Sequence, residues 1–260
     1  MVEQLDEGVW TTEVALDEYN VRGALVAGSH RAIVWDTLSH PRDMQGYLPL
    51  IGDRELVIVY SHADWDHIWG TAGLPFEPAS IVGHRACLER FSSDVPATLE
   101  EKQAGEPGRW DEVRLVPPRT VFDVEHRIDL GGMTLELRHL PGHTEDCIVG
   151  FVPERGLLVA GDTVETPLPV VPPGAPLDRW IEGLERWARD GRVSCVVPAH
   201  GSIGGPEIVH RTIAYLYGLR DGRPAQVGEA LTAFYRQTHE ANLRAWRPPS
   251  AGSKGYDRLL

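Results

Sequence analysis

Leu56-Val57-Ile58-Val59-Tyr60-Ser61-His62-Ala63-Asp64-Trp65-Asp66-His67 is the stretch on which the reading of this chain turns. Its first five residues are continuously apolar, as in a strand covered on both faces. Its last six carry two imidazoles and two carboxylates. In an extended strand exit His62, Asp64 and Asp66 point to one side, and His67 follows where the chain turns into a helix. Three later apolar runs end the same way: TLELRHL (134–140) runs into Pro141-Gly142-His143, LLVAG (157–161) into Asp162, and SCVVPA (194–199) into His200. In sheets covered by helices, sites form beyond the carboxyl ends of strands, so these side chains are expected to converge. Imidazole and carboxylate suit zinc, iron and manganese, and serve calcium poorly. Seven donors, His62, Asp64, Asp66, His67, His143, Asp162 and His200, are too many for one tetrahedral ion. They match two ions sharing a bridging carboxylate and a water.

Outward from that stretch, residues 9–35 read as an antiparallel meander with a hairpin at Gly28-Ser29-His30. Residues 41–54 read as a short helical or irregular connection, and 82–91 as a strand edge and helix. Residues 92–120 are polar and loop-rich, with one short helix expected around Glu100-Glu101, and form the lid candidate. Strands are expected at 121–130, 133–140, 147–152 and 157–160, the last two joined by a turn at Pro153-Glu154-Arg155-Gly156. Helical period over 178–189 places Trp180, Leu184 and Trp187 on one face, and Ser194 to Val197 forms a last strand. Beyond residue 205 the charge balance changes, with eight Arg or Lys against five Asp or Glu over 207–260. Two helices, about 206–219 and 225–246, are expected there. The division is a core of 1–205 with the insertion at 92–120, and C-terminal helices in 206–260 packed on it; a lid or a homodimer contact are the alternatives for those helices.

The 260 residues carry a net charge of -13, which argues against nucleic acid or an anionic membrane as partner, because either needs a basic stripe. A small-molecule substrate remains. Cys87, Cys147 and Cys195 form no paired framework, pointing to a reducing compartment. The start MVEQLDEGVW lacks the basic and apolar regions of a signal peptide, and a cytoplasmic location is expected.

SHADWDH (61–67), PGHT (141–144), GDT (161–163) and PAHG (198–201), in that order, resemble the metallo-β-lactamase superfamily and its HxHxDH pattern. The resemblance covers about residues 8–205, including Ile33-Val34-Trp35-Asp36-Thr37. It implies an α+β fold, a four-layer αββα sandwich, and two divalent metal ions. By it, His62 and His143 match ligands of the first metal, Asp66, His67 and His200 those of the second, and Asp162 the bridge. Asp66 is also implied as the catalytic group that orients the attacking water or accepts its proton. Asp64 departs from the pattern, standing where the family usually has its second His. Either it ligates the first metal or it is too short to reach. If it ligates, a hydroxide-bearing pair of dications has a net charge of about zero instead of about +1, and the extra oxygen favours iron or manganese over zinc. Flavodiiron members resemble it in carrying a carboxylate there.

The function implied is a metallohydrolase that uses a metal-bridged hydroxide on a small ester, thioester, lactone or related substrate. Glyoxalase II-like thioesterase or lactonase activity fits better than β-lactam or nucleic-acid hydrolysis. The alternatives are an iron-dependent oxidoreductase of the same fold, of diiron or persulfide-oxidising type, and a metal-binding protein without turnover. Trp65 and Trp69 are candidate walls of the substrate pocket or core aromatics. Arg109 and Trp110 are candidate substrate contacts. His84 and Cys147 read as structural, and Tyr215 and Tyr217 as core or surface groups.

Overall fold

The structure, a computed structural model, describes residues 1–77, 79–223 and 231–246. Two sheets hold the described strands. The first takes its seven strands in chain order: β1 (Val2–Asp6), β2 (Val9–Ala15), β3 (Asn20–Ala27), β4 (Arg31–Trp35), β5 (Glu55–Val59), β6 (Ser80–His84) and β7 (Thr120–Phe122). Pairing is antiparallel from β1 to β4 and parallel from β4 to β7. The second sheet is built from β8 (Glu125–Asp129), β9 (Thr134–His139), β10 (Ile148–Val152), β11 (Leu157–Gly161) and β12 (Cys195–Pro198), antiparallel except for the parallel β11–β12 pair.

Alternating side chains of single strands divide among three apolar clusters, and this makes the layers. Ile33 and Trp35 of β4 and Val57 and Val59 of β5 meet Leu135, Leu137, Ile148 and Val159 of the second sheet, so one cluster lies between the sheets. Ala32, Val34, Leu56 and Ile58 point the opposite way. They pack under a helical layer that includes α1 (Leu48–Ile51), α2 (Trp65–Ile68), α3 (Arg85–Arg90) and α4 (Asp94–Gly105). On the far side Val149, Phe151, Leu158 and Val196 meet α5 (Leu177–Arg189), α6 (Pro206–Arg220) and α7 (Ala233–Ala245). The order helices, sheet, sheet, helices is the αββα sandwich. Burial on both faces explains why β5 reads as an unbroken apolar run. No helix among the described residues is long and apolar enough to cross a membrane.

Three expectations need correction. The single run expected over 121–130 breaks at Asp123-Val124, where the chain passes from β7 in one sheet to β8 in the other and Val124 is exposed. Strand periodicity carries no mark of a change of sheet. The insertion holds a helix of twelve residues where a short one was expected, and Val95 is its one fully buried side chain. A helix polar on almost every face gives no 3.6-residue signal. The last helix, expected from about 225, begins at Ala233 among the described residues, where the Thr232 hydroxyl caps the Tyr235 N–H. Residues 224–230 lie outside the described chain.

Candidate metal centre

Four strand exits deliver the site. β5 leads into Ser61-His62, and α2 then carries Asp66 and His67 on its single turn. β9 is followed by His143, β11 by Asp162 and β12 by His200. Close approach of these exits requires glycine at two of them. A Cβ on Gly161, whose φ is +51°, would stand 2.8 Å from Ser61 Cβ, and one on Gly142 would stand 2.4 Å from the Trp180 ring. Trp180 of α5 also donates its Nε1–H to Thr163 O at 2.9 Å, so one indole braces both the His143 and the Asp162 turns.

All four imidazoles are oriented by a partner at Nδ1. His67 Nδ1 lies 2.9 Å from Asp36 Oδ2, His143 Nδ1 3.1 Å from Val170 O, and His200 Nδ1 2.7 Å from Asn20 O. His62 Nδ1 is 2.9 Å from Ser61 Oγ, whose own proton goes to Asp36 Oδ2 at 2.7 Å. The hydroxyl therefore accepts from His62. Each Nδ1 thus acts as the donor, which leaves each Nε2 as the ring atom presented to the cluster.

Around those Nε2 atoms the carboxylates fall into two groups joined by Asp162. Asp162 Oδ2 is 3.7 Å from His62 Nε2 and 3.8 Å from His143 Nε2. Asp162 Oδ1 is 3.4 Å from His67 Nε2 and 3.3 Å from His200 Nε2. Asp64 Oδ2 completes the first group at 3.1 Å from His143 Nε2 and 3.5 Å from His62 Nε2. Asp66 sits in the second, 3.7 Å from His67 Nε2 and 3.8 Å from His200 Nε2. Donor sets close enough to hold a metal ion include His62, Asp64 and His143, then His62, His67 and Asp162, and then Asp66, His67 and His200. His62 Nε2, His67 Nε2 and Asp162 Oδ1 are buried with no hydrogen-bond partner. Such orphans cost about 1–3 kcal/mol each. Nitrogen and carboxylate donors left bare at one point fit a cation.

Electrostatics points the same way. Burial opposes ionisation of Asp162, yet His200, His67 and His62 hold its carboxyl well below the usual range. Burial likewise acts to raise Asp64, and His62 and His143 outweigh it and hold that carboxyl low. The rings respond in reverse. Burial lowers His143, but the Asp64 hydrogen bond and Asp162 bring it up to about 9, and Asp162 brings His200 up to about 10 against the same penalty.

Several neighbours escaped the sequence reading. Asp36 accepts from Ser61 N at 2.7 Å as well as from Ser61 Oγ and faces His67 Nδ1, all from a backbone at φ 57°. It follows the end of β4, so the strand-end rule that found the donors could have found it. Arg90 reaches Asp64, and Tyr19 donates to Asp66 Oδ2 at 3.2 Å. Glu165 is buried and accepts from Val170 N. Burial, with Asp162 beside it, lifts its carboxyl to about 6 although His200 pulls it down.

The other candidates divide. Trp65 is half-buried beside the cluster, with the Lys102 ammonium 3.8 Å from its ring, while Trp69 is fully buried. Both line a recess of about 230 Å³ together with Ala63, Asp64, Arg90, Val95 and Thr98. Trp110 is a core residue that packs edge-on against Trp69, and Arg109 pairs with Glu106 and Asp17. The Trp110 indole is therefore closed to a substrate. His84 caps α3, Cys147 is buried against Thr144, Tyr215 meets His239 and Asn242, and Tyr217 meets Glu185.

Sandwich and donor cluster together define an αββα protein with strand ends converging on a metal-type site. The sequence profile of the metallo-beta-lactamase superfamily matches residues 18–200, and the chain belongs to that superfamily of metal-dependent hydrolases. It is similar to a Gallus gallus protein named acyl-coenzyme A thioesterase MBLAC2, at 25% identity over 214 residues, which are 72% of this chain and 74% of the relative. In structure it resembles a metallo-beta-lactamase from Pontibacter korlensis, with 20% identity and a TM-score of 0.65 over 84% of this chain and 98% of that one. The mono-zinc form of FIM-1 from Pseudomonas aeruginosa gives 0.64 at 21% identity, over 84% and 94%.

Proposed function

We propose that the chain is a binuclear metallohydrolase of a small thioester, ester or lactone, with acyl-coenzyme A thioesters first among the substrates to try. The observation that carries this reading is Asp162, with one oxygen toward each donor group. The relative named as an acyl-coenzyme A thioesterase supports the choice of substrate class. His62, Asp64, His143 and Asp162 Oδ2 would hold one cation, and Asp66, His67, His200 and Asp162 Oδ1 the other. Zinc, iron and manganese all suit these donors. Bound there, the cations supply Lewis acidity that polarises an acyl oxygen and acidifies water.

The protein's own groups position and move protons. Asp66, a member of the second group, is the candidate proton acceptor, and the Tyr19 hydroxyl fixes its rotamer through Oδ2. Burial, with Asp66 adjacent, pushes the Tyr19 pKa far up, so that hydroxyl stays a donor. The recess beside Asp64, lined by Trp65, Arg90 and Thr98 among others, is the opening next to the donor cluster into which part of a small substrate would fit. A cytoplasmic location belongs to the same reading.

Elemental analysis of the purified protein and a panel of thioesters, esters, lactones and phosphodiesters test it. Two cations per chain are expected, with thioester turnover that is lost in Asp162→Ala and His143→Ala. One cation per chain, or full turnover in either variant, removes the two-cation reading. Hydrolysis of no substrate in the panel removes the hydrolase.

A further inference from the structure

The guanidinium of Arg90, the last residue of α3, lies against three carboxylates from three segments. Nη2 is 2.7 Å from Asp64 Oδ1 and 2.6 Å from Asp94 Oδ2, and Nη1 is 3.2 Å from Asp146 Oδ1. Asp146 is 1% exposed and accepts the Ala63 N–H through its other oxygen at 2.8 Å. Arg90 and Asp146 therefore fix Asp64 by its side chain and by the backbone of the residue before it. Only Asp64 Oδ2 is left to face His143 Nε2 and His62 Nε2.

An aspartate in place of an imidazole brings a negative charge and a second oxygen. The guanidinium offsets the first and occupies the second. A carboxylate with both oxygens free chelates, which suits cations that take six oxygen-rich ligands; one oxygen beside imidazoles suits four-coordinate zinc. Resting on the metal centre proposed above, we propose that Arg90 is a positioning residue that holds Asp64 as a one-oxygen donor. The Asp64–Arg90 pair then takes the place of an imidazole and keeps the site selective for zinc over manganese.

The test measures zinc and manganese affinities, by competition with a chromophoric chelator, for the wild type, Arg90→Gln, Asp64→His and the double variant. The ratio of the two affinities is read, because the through-space effect of a lost charge acts alike on both dications. Arg90→Gln is expected to shift the ratio toward manganese by about tenfold or more, the scale of losses when a ligand's supporting partner is removed. In the Asp64→His background the same change should leave the ratio where it was. Arg85→Gln, which removes an exposed guanidinium of the same helix that pairs with Asp123, should not move it either. No shift in Arg90→Gln, or an equal shift in both backgrounds, overturns the role of Arg90 and leaves the metal centre standing. Wild-type protein that takes up neither metal overturns both. Circular dichroism of the metal-free variants reports folding. Should Arg90→Gln not fold, Arg90→Lys carries the same test, since an ammonium keeps a charge beside Asp146 but cannot bridge three carboxylates with the planar guanidinium fork. An unmoved ratio in Arg90→Lys then overturns the proposal.

Discussion

Asp36 touches no other member of the donor set except His67, yet it orders the whole β5 exit. Its two oxygens take Ser61 N and Ser61 Oγ and face His67 Nδ1, and through Ser61 they reach His62. Asp36→Ala removes all three contacts and places alanine at φ 57°, where aspartate and asparagine are better tolerated. Metal affinity is expected to fall by about 10–100-fold, measured by chelator competition. Asp36→Asn, which keeps the backbone preference and one acceptor oxygen, should lose less. At this scale the sequence was legible for the convergence of the seven side chains, because each is a metal-type residue at or just beyond a strand end. Arg90 was not legible. It is an arginine at the end of an ordinary amphipathic turn, and only the fold brings it to Asp64.

Among the elements, α5 and the turns it braces form a unit. A Cβ on Gly142 would collide with the Trp180 ring at 2.4 Å, and the fully buried indole cannot retreat. Gly142→Ala is therefore expected to displace His143, lowering both the melting temperature and the metal content. Trp180→Phe keeps most of the apolar volume and leaves Thr163 O without its indole donor. The cost expected is about 1–3 kcal/mol, read from denaturant unfolding, and the Asp162 turn should be the part that loosens. Helical period in the sequence placed Trp180 on the core face. It carried no sign that this face abuts two glycine turns, because that contact joins residues 142 and 180 across the sheet.

For the molecule as a whole, three apolar clusters hold the layers while charge gathers where both sheets end. Removal of metal by a chelator would leave the buried Asp162 carboxylate and orphaned His Nε2 atoms facing one another. The melting temperature should fall on chelation and recover on adding metal. A ligand at a hundred times its Kd is worth about 2.7 kcal/mol, so the shift is expected to be several degrees. The C-terminal helices also bear on the site. Asn242 of α7 donates to Pro169 O at 2.8 Å and accepts from Val171 N at 3.0 Å, bracketing Val170, whose carbonyl orients His143. Asn242→Ala is predicted to weaken metal binding from a position outside the donor set, with a larger effect than Glu240→Ala two residues earlier on the exposed face. The strands were legible because alternating and continuous apolar runs mark strands covered on one or both faces, whereas the αββα layering was implied by the resemblance carried by the donor motifs. This long-range bracket was not, since no local pattern ties residue 242 to residue 170.

The anchoring of all four imidazoles at Nδ1 bears on time as well as affinity. Rings already held in one orientation need no flip before a cation is captured, only loss of the Nε2 protons that the surrounding carboxylates favour on His143 and His200. Loading should therefore proceed in a single fast phase whose rate rises in proportion to metal concentration. A concentration-independent slow step would belong to a protein that had to build its rings into place first.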